Sequence, residues 1–393
     1  MATEVLHAPA RCTTWEYEWS LPAKLEEILR RSGVSAMVTP GEYVAVKLHL
    51  GSEGAFRTIR PVFVRKVVEA IRSAGGIPFV TDTTRIPGLE YLEVAAANGY
   101  SHLTCGAPII MADGIFGRDV VRVPLGEGAP VAEMGVASAI YHAGAMVVLT
   151  HCKGHIGPGY GGAIKNVAFG GVGRRTQDDG VNRGHLHSVE NLPPAWNPRL
   201  CTFCERCAAV CPINAIEIEK TVSLKVNEGV CDRCGRCVRI CHEEGGALSM
   251  PISEEVFARG MVEAARAVLS TFAAGKVLYL NFLQELQPEC DCMPVADVPV
   301  MQDQGILAGL DIVAVETATL DLLDAAPPLP QSKAEDAGIG EAGDVLGRIN
   351  QRRTRLPLEY AAALGLGESA HRLVTIHSKR RSKVGKPPRE HRR

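Results

Sequence analysis

The chain has 393 residues, 46% of them apolar, and a formal charge of -2. At roughly 150 residues per domain, this length predicts two or three domains with a sizeable core, and excludes both a lone small module and wholesale disorder. The balanced charge excludes a protein built to coat polyanions, although residues 372–393 carry nine Lys/Arg against the single acid Glu390 and leave the rest net acidic.

Residues 1–41 read as an N-terminal extension. Its first part, MATEVLHAPARC, lacks the apolar stretch of a secretory signal, and no run approaches the ~18 apolar residues of a spanning helix. A cytoplasmic protein with no membrane partner is expected. An α/β domain then begins, its first part over 42–195. Tyr43–Leu50 alternates as a strand does, with Val44, Val46 and Leu48 on one face and Lys47 and His49 on the other. Arg60–Ala74 predicts a helix, with Pro61 in its first turn, Val64, Val67, Val68 and Ile71 along one side, and Gly75-Gly76 as the stop. Ile77–Thr81 is the next strand and ends at Asp82, followed by a helical stretch at Glu90–Asn98. Asp119–Val123 and Ala145–Thr150 read as strands separated by an apolar helix near Val131–His142. The second of these strands runs into His151-Cys152-Lys153-Gly154-His155.

Gly157–Gly173 holds seven glycines in 17 residues, a density that brings backbone amides close to a ligand or another segment. It contains a formal G-x-G-x-x-G at 157–162. Six residues separate that from the strand end and no good helix follows at once, so it is not read as a dinucleotide site. No Gly-Lys-Ser/Thr step makes it a P-loop. Lys165 and Asn166 are expected to project from this amide-rich loop. His185 and His187 follow, as surface histidines or, alternatively, metal ligands.

Thirteen cysteines include eight between 201 and 241. In the reducing compartment expected here, metal ligation explains that density better than disulfides. CTFCERCAAVCP places Cys201, Cys204, Cys207 and Cys211 before Pro212, and CDRCGRCVRIC repeats the spacing with Cys231, Cys234, Cys237 and Cys241. Each half is C-x2-C-x2-C-x3-C, the run that holds [4Fe–4S] clusters in bacterial ferredoxins. Three cysteines at two-residue gaps wrap three corners of one cube, and the fourth reaches the other cube. This assigns Cys201, Cys204, Cys207 and Cys241 to one cluster, and Cys231, Cys234, Cys237 and Cys211 to the other. Zinc ribbons are the alternative, but zinc does not call for the third C-x2 step or the Cys-Pro ending. Residues 196–251 therefore resemble a two-cluster bacterial ferredoxin domain, with His242 standing where a second proline commonly follows.

The α/β pattern resumes over 252–325. Ser253 can cap a helix carrying Val256, Phe257, Met261, Val268 and Leu269, closed by Gly275. Lys276–Phe282 is a strand, and Ile312–Leu323 gives another strand-to-helix pattern. Between them lie Cys290 and Cys292, by default small buried residues, alternatively contacts to substrate or a further metal. Residues 326–371 read as a linker with a short helix, and 372–393 as a basic tail. The whole predicts an α/β fold, a parallel or mixed sheet with helices on both faces, interrupted by a small α+β ferredoxin-like insert.

In open α/β sheets ligands bind beyond the carboxyl ends of strands. Three predicted strands end in Lys47 and His49, in Asp82, and in Lys153 and His155. If those strands are neighbours, they form a cationic pocket for a small anion, with His49 and His155 as acids and Lys47, Asp82, Lys153, Lys165 and Asn166 as binding residues. VKLHLG (46–51), residues 61–83, KGH (153–155) with GAIKNVAFGG (162–171), the doubled cysteine run, and CDC with DQGILAGLDIVAVETA (303–318) together resemble the ferredoxin-containing members of the family catalogued as domain of unknown function 362. The resemblance spans about 42–325. It implies an α/β domain with a two-cubane insert and supports Lys47, Lys153, His155, Lys165 and Asn166 as a site, without supplying a reaction. The expected function is passage of electrons through two [4Fe–4S] clusters to the pocket, reducing a small anionic substrate. No NAD, flavin or ATP motif is convincing, so a ferredoxin or reductase partner is the expected donor. The alternative is an electron-transfer or cofactor-assembly accessory protein without a substrate. Nucleic-acid binding by the tail is disfavoured for want of aromatics, and the oligomeric state has no signature in the sequence.

Overall fold

The computed structural model describes residues 2–376 apart from 87, 175–182, 187–191, 212, 232 and 251–252, and, within that range, not the side chains of 185 and 243. Pro212, His187 and the His185 side chain, singled out above, therefore lie outside the described residues, as does the tail from 377 onward.

Eight strands make one large sheet: β1 (Thr3–Pro9), β2 (Tyr43–Lys47), β3 (Ile77–Asp82), β4 (Ile109–Met111), β5 (Ala145–His151), β6 (Val277–Leu283), β7 (Gly305–Gly309) and β8 (His371–Thr375). Their order is β8-β1-β7-β6-β5-β2-β3-β4. Only β7 runs against the rest, so the sheet is mixed, and β6, β5, β2, β3 and β4 all end on the same edge. The central strands are covered on both sides, which is why they read as apolar runs. In β5, Ala145, Val147 and Leu149 enter one core while Met146 and Val148 enter the other. Helices α1 (Leu21–Arg31) and α2 (Pro61–Ser73) cover the first face. Helices α3 (Ala163–Gly171), α4 (Glu254–Leu269) and α5 (Ile312–Ala325) cover the second. The fold is α/β. From β2 the chain moves outward to β3 and β4 on one side, then returns to β5 and β6 on the other. The loops leaving β2 and β5 therefore diverge, opening the crevice in which such sheets place ligands.

Several segments differ from expectation. Residues 1–41 are not an extension: β1 is a sheet strand, paired antiparallel with β7 and parallel with β8, and it buries Leu6 and Ala8. Residues 372–375, taken for tail by their charge, belong to β8, where Val374 packs against the core. The apolar helix near Val131–His142 is a strand, Glu133–Ala137, hairpinned to Val120–Pro124, plus one turn at Ser138–Tyr141. Short apolar runs fit either period. The Gly157–Gly173 loop is a hairpin of Lys153–His155 with Gly159–Gly161, followed by α3. Ala163, Ile164, Val167 and Ala168 give α3 its buried stripe. Its glycines serve close packing, since a Cβ at Gly171 would strike Val268 of α4. The 326–371 linker is packed structure, with helices Val345–Asn350 and Leu356–Ala363 burying Leu346, Leu358 and Ala361.

The cysteine segment forms a satellite. Ala195–Trp196 pairs with Leu248–Ser249, Ile216–Glu219 pairs with Ser223–Val226, and helices Arg206–Ala209 and Arg236–Glu243 carry part of each run. Cys207, Ile216, Leu224, Cys237 and Leu248 are its buried core. Among the described residues, no helix is long and apolar enough to cross a membrane.

Candidate functional site

β5, β2 and β3 are adjacent, so the strand ends singled out above do meet. Lys47 closes β2 with its ammonium 3.0 Å from Asp82 Oδ1 at the end of β3 and 2.7 Å from Asn166 Oδ1 on α3. Gly170 makes room for it, because a Cβ there would fall on that ammonium. Asp82 Oδ2 accepts from the Tyr91 hydroxyl at 2.8 Å and lies 3.0 Å from His49 Nδ1. Burial opposes every charge in this group. At Asp82 the nearby Lys47 and His49 outweigh it and hold the carboxyl well below its ordinary range. At Lys47 and His49 burial prevails over Asp82, and both pKa values fall. A neutral His49 that donates from Nδ1 to Asp82 keeps its lone pair on Nε2. That nitrogen is buried with no hydrogen-bond partner among the described residues.

A second carboxylate organises the end of β5. Asp291, on the loop after β6, places Oδ1 2.9 Å from His151 Nδ1 and Oδ2 2.9 Å from Lys153 Nζ, and Gln287 Nε2 donates to it at 3.1 Å. Burial again opposes its ionisation, but His151 and Lys153 outweigh it and pull the Asp291 pKa down to about 2. Burial also works against the Lys153 ammonium, and Asp291 reverses the balance and raises its pKa. The loop is pinned by the Ser52 hydroxyl, which donates to the Asp291 and Met293 carbonyls at 3.1 and 2.7 Å.

Cys290 and Cys292 flank Asp291. Lys165, on the first turn of α3 rather than on a loop, donates to Cys290 Sγ at 3.3 Å, as does the Cys292 backbone N–H at 3.3 Å. His155 stands beside the same sulfur, with a ring nitrogen within 4.8 Å of it, and its Nδ1 accepts from Gly157 N–H at 2.9 Å. Burial would raise the Cys290 thiol, but Cys292, Lys165 and His155 together bring it well below its ordinary pKa, while the bond to Cys290 and burial raise Cys292. Ligand-type atoms of His155, Cys290 and Cys292 lie within 4.8 Å of one another, a soft donor set of the kind that can hold a metal ion. The start of α3 is not offered to a phosphate, because Glu316 Oε1 accepts from Ala163 N–H at 2.8 Å.

These groups border one cavity of about 570 Å³. All seven residues expected at the pocket, with Cys290 and Cys292, line it. Its opposite wall is Cys234, Gly235 and Arg236 of the second cysteine run, and Arg236 donates to the Cys292 carbonyl. Ile349–Arg352, from the segment expected to be linker, complete it. With Lys47 and Lys153 engaged by carboxylates, Lys165 and arginines 85, 183, 236, 239 and 352 leave the lining cationic. Sequence reasoning missed Tyr91, His151, Gln287 and Asp291. Asp291 was signalled only by standing between two cysteines, and Tyr91 by nothing.

In the satellite, the charged neighbours acting on Cys207 are Cys241 and Cys204, and those acting on Cys237 are Cys234, Cys231 and Cys211. Both runs turn left-handed at the same two offsets, at Phe203 (φ 55°) and Glu205 (φ 62°), and at Arg233 (φ 53°) and Gly235 (φ 71°). Such turns aim successive amides inward. Ala215, Leu248 and Arg233 N–H groups donate to the sulfurs of Cys211, Cys241 and Cys231 at 3.2, 3.2 and 3.4 Å. All thirteen cysteines are unbridged, and so many free thiols, with the His155, Cys290 and Cys292 group, suggest a metal cofactor.

The family model described as "Domain of unknown function (DUF362)" matches residues 44–321. No curated protein matches the sequence. Among solved structures the chain is similar to the lactate racemase apoprotein from Thermoanaerobacterium thermosaccharolyticum, at 10% identity and a TM-score of 0.38, over 95% of this chain and 82% of that one. A likeness that distant bears on neither chemistry nor ligands.

Proposed function

The chain belongs to the domain of unknown function 362 family, and from that premise we propose that it is an iron–sulfur oxidoreductase that reduces a small anionic substrate in the cavity. Cys201, Cys204, Cys207 and Cys241 would hold one [4Fe–4S] cluster, and Cys231, Cys234, Cys237 and Cys211 the other. The neighbour groups around Cys207 and Cys237 and the amide bonds to sulfur suit that ligand division. When bound, the clusters supply single electrons.

One observation carries the reading. The loop of the second cysteine run walls the same cavity into which the charged strand ends converge, an arrangement with no purpose in an accessory protein that has no substrate. Lys165 and the arginines draw an anion in. Lys47 and Asn166 fix one side of the floor, and Asp291 holds Lys153 on the other. His49 is the group for proton transfer: Asp82 steadies its Nδ1, and its Nε2 has no partner among the described residues. His155 suits a different role. Accepting from Gly157 leaves its proton on Nε2 as a fixed hydrogen-bond donor, which orients rather than protonates. A partner ferredoxin or reductase brings the electrons, and unbridged cysteines suit a cytoplasmic setting.

Anaerobically prepared protein is expected to contain about eight iron and eight inorganic sulfide per chain. His49→Gln should keep both and lose most reoxidation of the reduced protein by its substrate. Zinc in place of iron, without sulfide, would refute the proposal.

A further inference from the structure

We propose that Cys290 and Cys292 are a redox-active dithiol on the cavity floor, Cys290 attacking and Cys292 resolving, and that their substrate is a small anionic disulfide. This rests on the reading above only for the source of the electrons that restore the pair.

Two donors converge on Cys290 Sγ, the Lys165 ammonium and the Cys292 amide, and a His155 ring nitrogen lies within 4.8 Å of it. Such a set serves a thiolate and has no use around a buried neutral thiol. Cys152 makes the contrast within this chain. It is equally buried, with the Tyr160 hydroxyl on its sulfur and its own contact to the Thr150 carbonyl, and burial pushes its thiol up rather than down. The second sulfur is close, within the same 4.8 Å group. Asp291 between them is clamped by His151, Lys153 and Gln287, so both sulfurs stay on the cavity side of a fixed loop.

The neighbouring thiol narrows the substrate. A second thiol resolves a covalent intermediate only when Cys290 is bonded to sulfur, and the cationic lining selects negative substituents. The Cys290 thiolate attacks one sulfur of R–S–S–R, that bond breaks, and R–S⁻ leaves toward Lys165. Cys292 then passes its proton to the second leaving sulfur and attacks Cys290, closing the protein disulfide and releasing R–SH. Two protein sulfurs are oxidised and two substrate sulfurs reduced. Restoring the pair takes two electrons and one proton from a one-electron carrier acting twice, or from an external dithiol.

The test uses the full chain with exposed Cys12 changed to Ser, kept anaerobic and free of reductant, with 2,2′-dithiodiacetate as probe and peptide mass spectrometry as readout. The expected product is a Cys290–Cys292 disulfide. Cys292→Ala should instead retain a mixed disulfide on Cys290, and Cys290→Ala should form neither. The uncharged bis(2-hydroxyethyl) disulfide should react at least about tenfold more slowly, and Lys165→Met should remove that preference. Iron and sulfide unchanged in every variant show that each is folded. The proposal is overturned if the probe leaves Cys290 unmodified in the folded parent. It is equally overturned if the parent binds one zinc per chain that Cys290→Ala cannot. Missing iron and sulfide would sink the oxidoreductase reading while leaving this half-reaction to be scored by itself.

Discussion

Asp82 and Asp291 each hold three cationic or polar side-chain partners where water is excluded. Removing one member of a buried pair strands the other, typically at about 3–5 kcal/mol. Asp82→Ala is therefore expected to destabilise by about 3 kcal/mol in denaturant titrations, whereas Arg30→Ala, which removes an exposed partner of Glu27, should barely move the midpoint. Asp291 titrates near 2 when folded and near 3.8 as an ordinary carboxyl. Its contribution is complete above about pH 4 and fades as the pH falls toward 2. The stability gap between parent and Asp291→Asn should shrink over that window, and a gap independent of pH would show that the carboxylate charge is not what matters. Lys47, His49, Asp82, Lys153 and His155 were legible because each follows an apolar strand, where the alternation stops and a functional side chain stands out. Asp291 was not, since its partner His151 is 140 residues away and no local pattern announces such a pair.

At the scale of elements, caps and periodicity were readable. Ser253 accepts from Val256 N–H at 3.3 Å and starts α4 as its sequence implies. Ser253→Ala should lower stability by about 1 kcal/mol, read as a shifted unfolding midpoint. Long-range strand addition was unreadable. β1 and β8 come from opposite ends of the chain, pair in register from Thr3↔His371, and are supported by contacts no window of sequence contains. Removing residues 2–9 would leave β7 without its outer neighbour and β8 without any. That variant should aggregate where the parent does not, as measured by light scattering during refolding. The second strand of the 120–137 hairpin was misread as helix because so short a run carries too few turns to reveal its period.

The molecule as a whole is an α/β layer with a satellite that has little to stand on. Five residues form the satellite's buried core, and two of them, Cys207 and Cys237, belong to the cysteine runs. With the proposed clusters bound, so small a core would lean on its metal. Chelating the metal should open the 196–251 segment to limited proteolysis while the large sheet keeps its far-ultraviolet signal; simultaneous loss of both would mean the two share one core. The insert was legible in its cysteine spacing. Its docking against the cavity was not, because Arg236 meets Cys292 across 56 residues.

β8 runs parallel to β1 and hence in the direction of β2 and β5, so Thr375 stands on the rim of the sheet where Lys47 and His151 end, while Thr3 stands on the opposite one. Four strand spacings of about 4.8 Å separate β8 from β5 along that rim, roughly 19 Å. A molecule tethered to an electrode at Thr3 would thus turn that rim toward the solution, and one tethered at Thr375 would press it against the support.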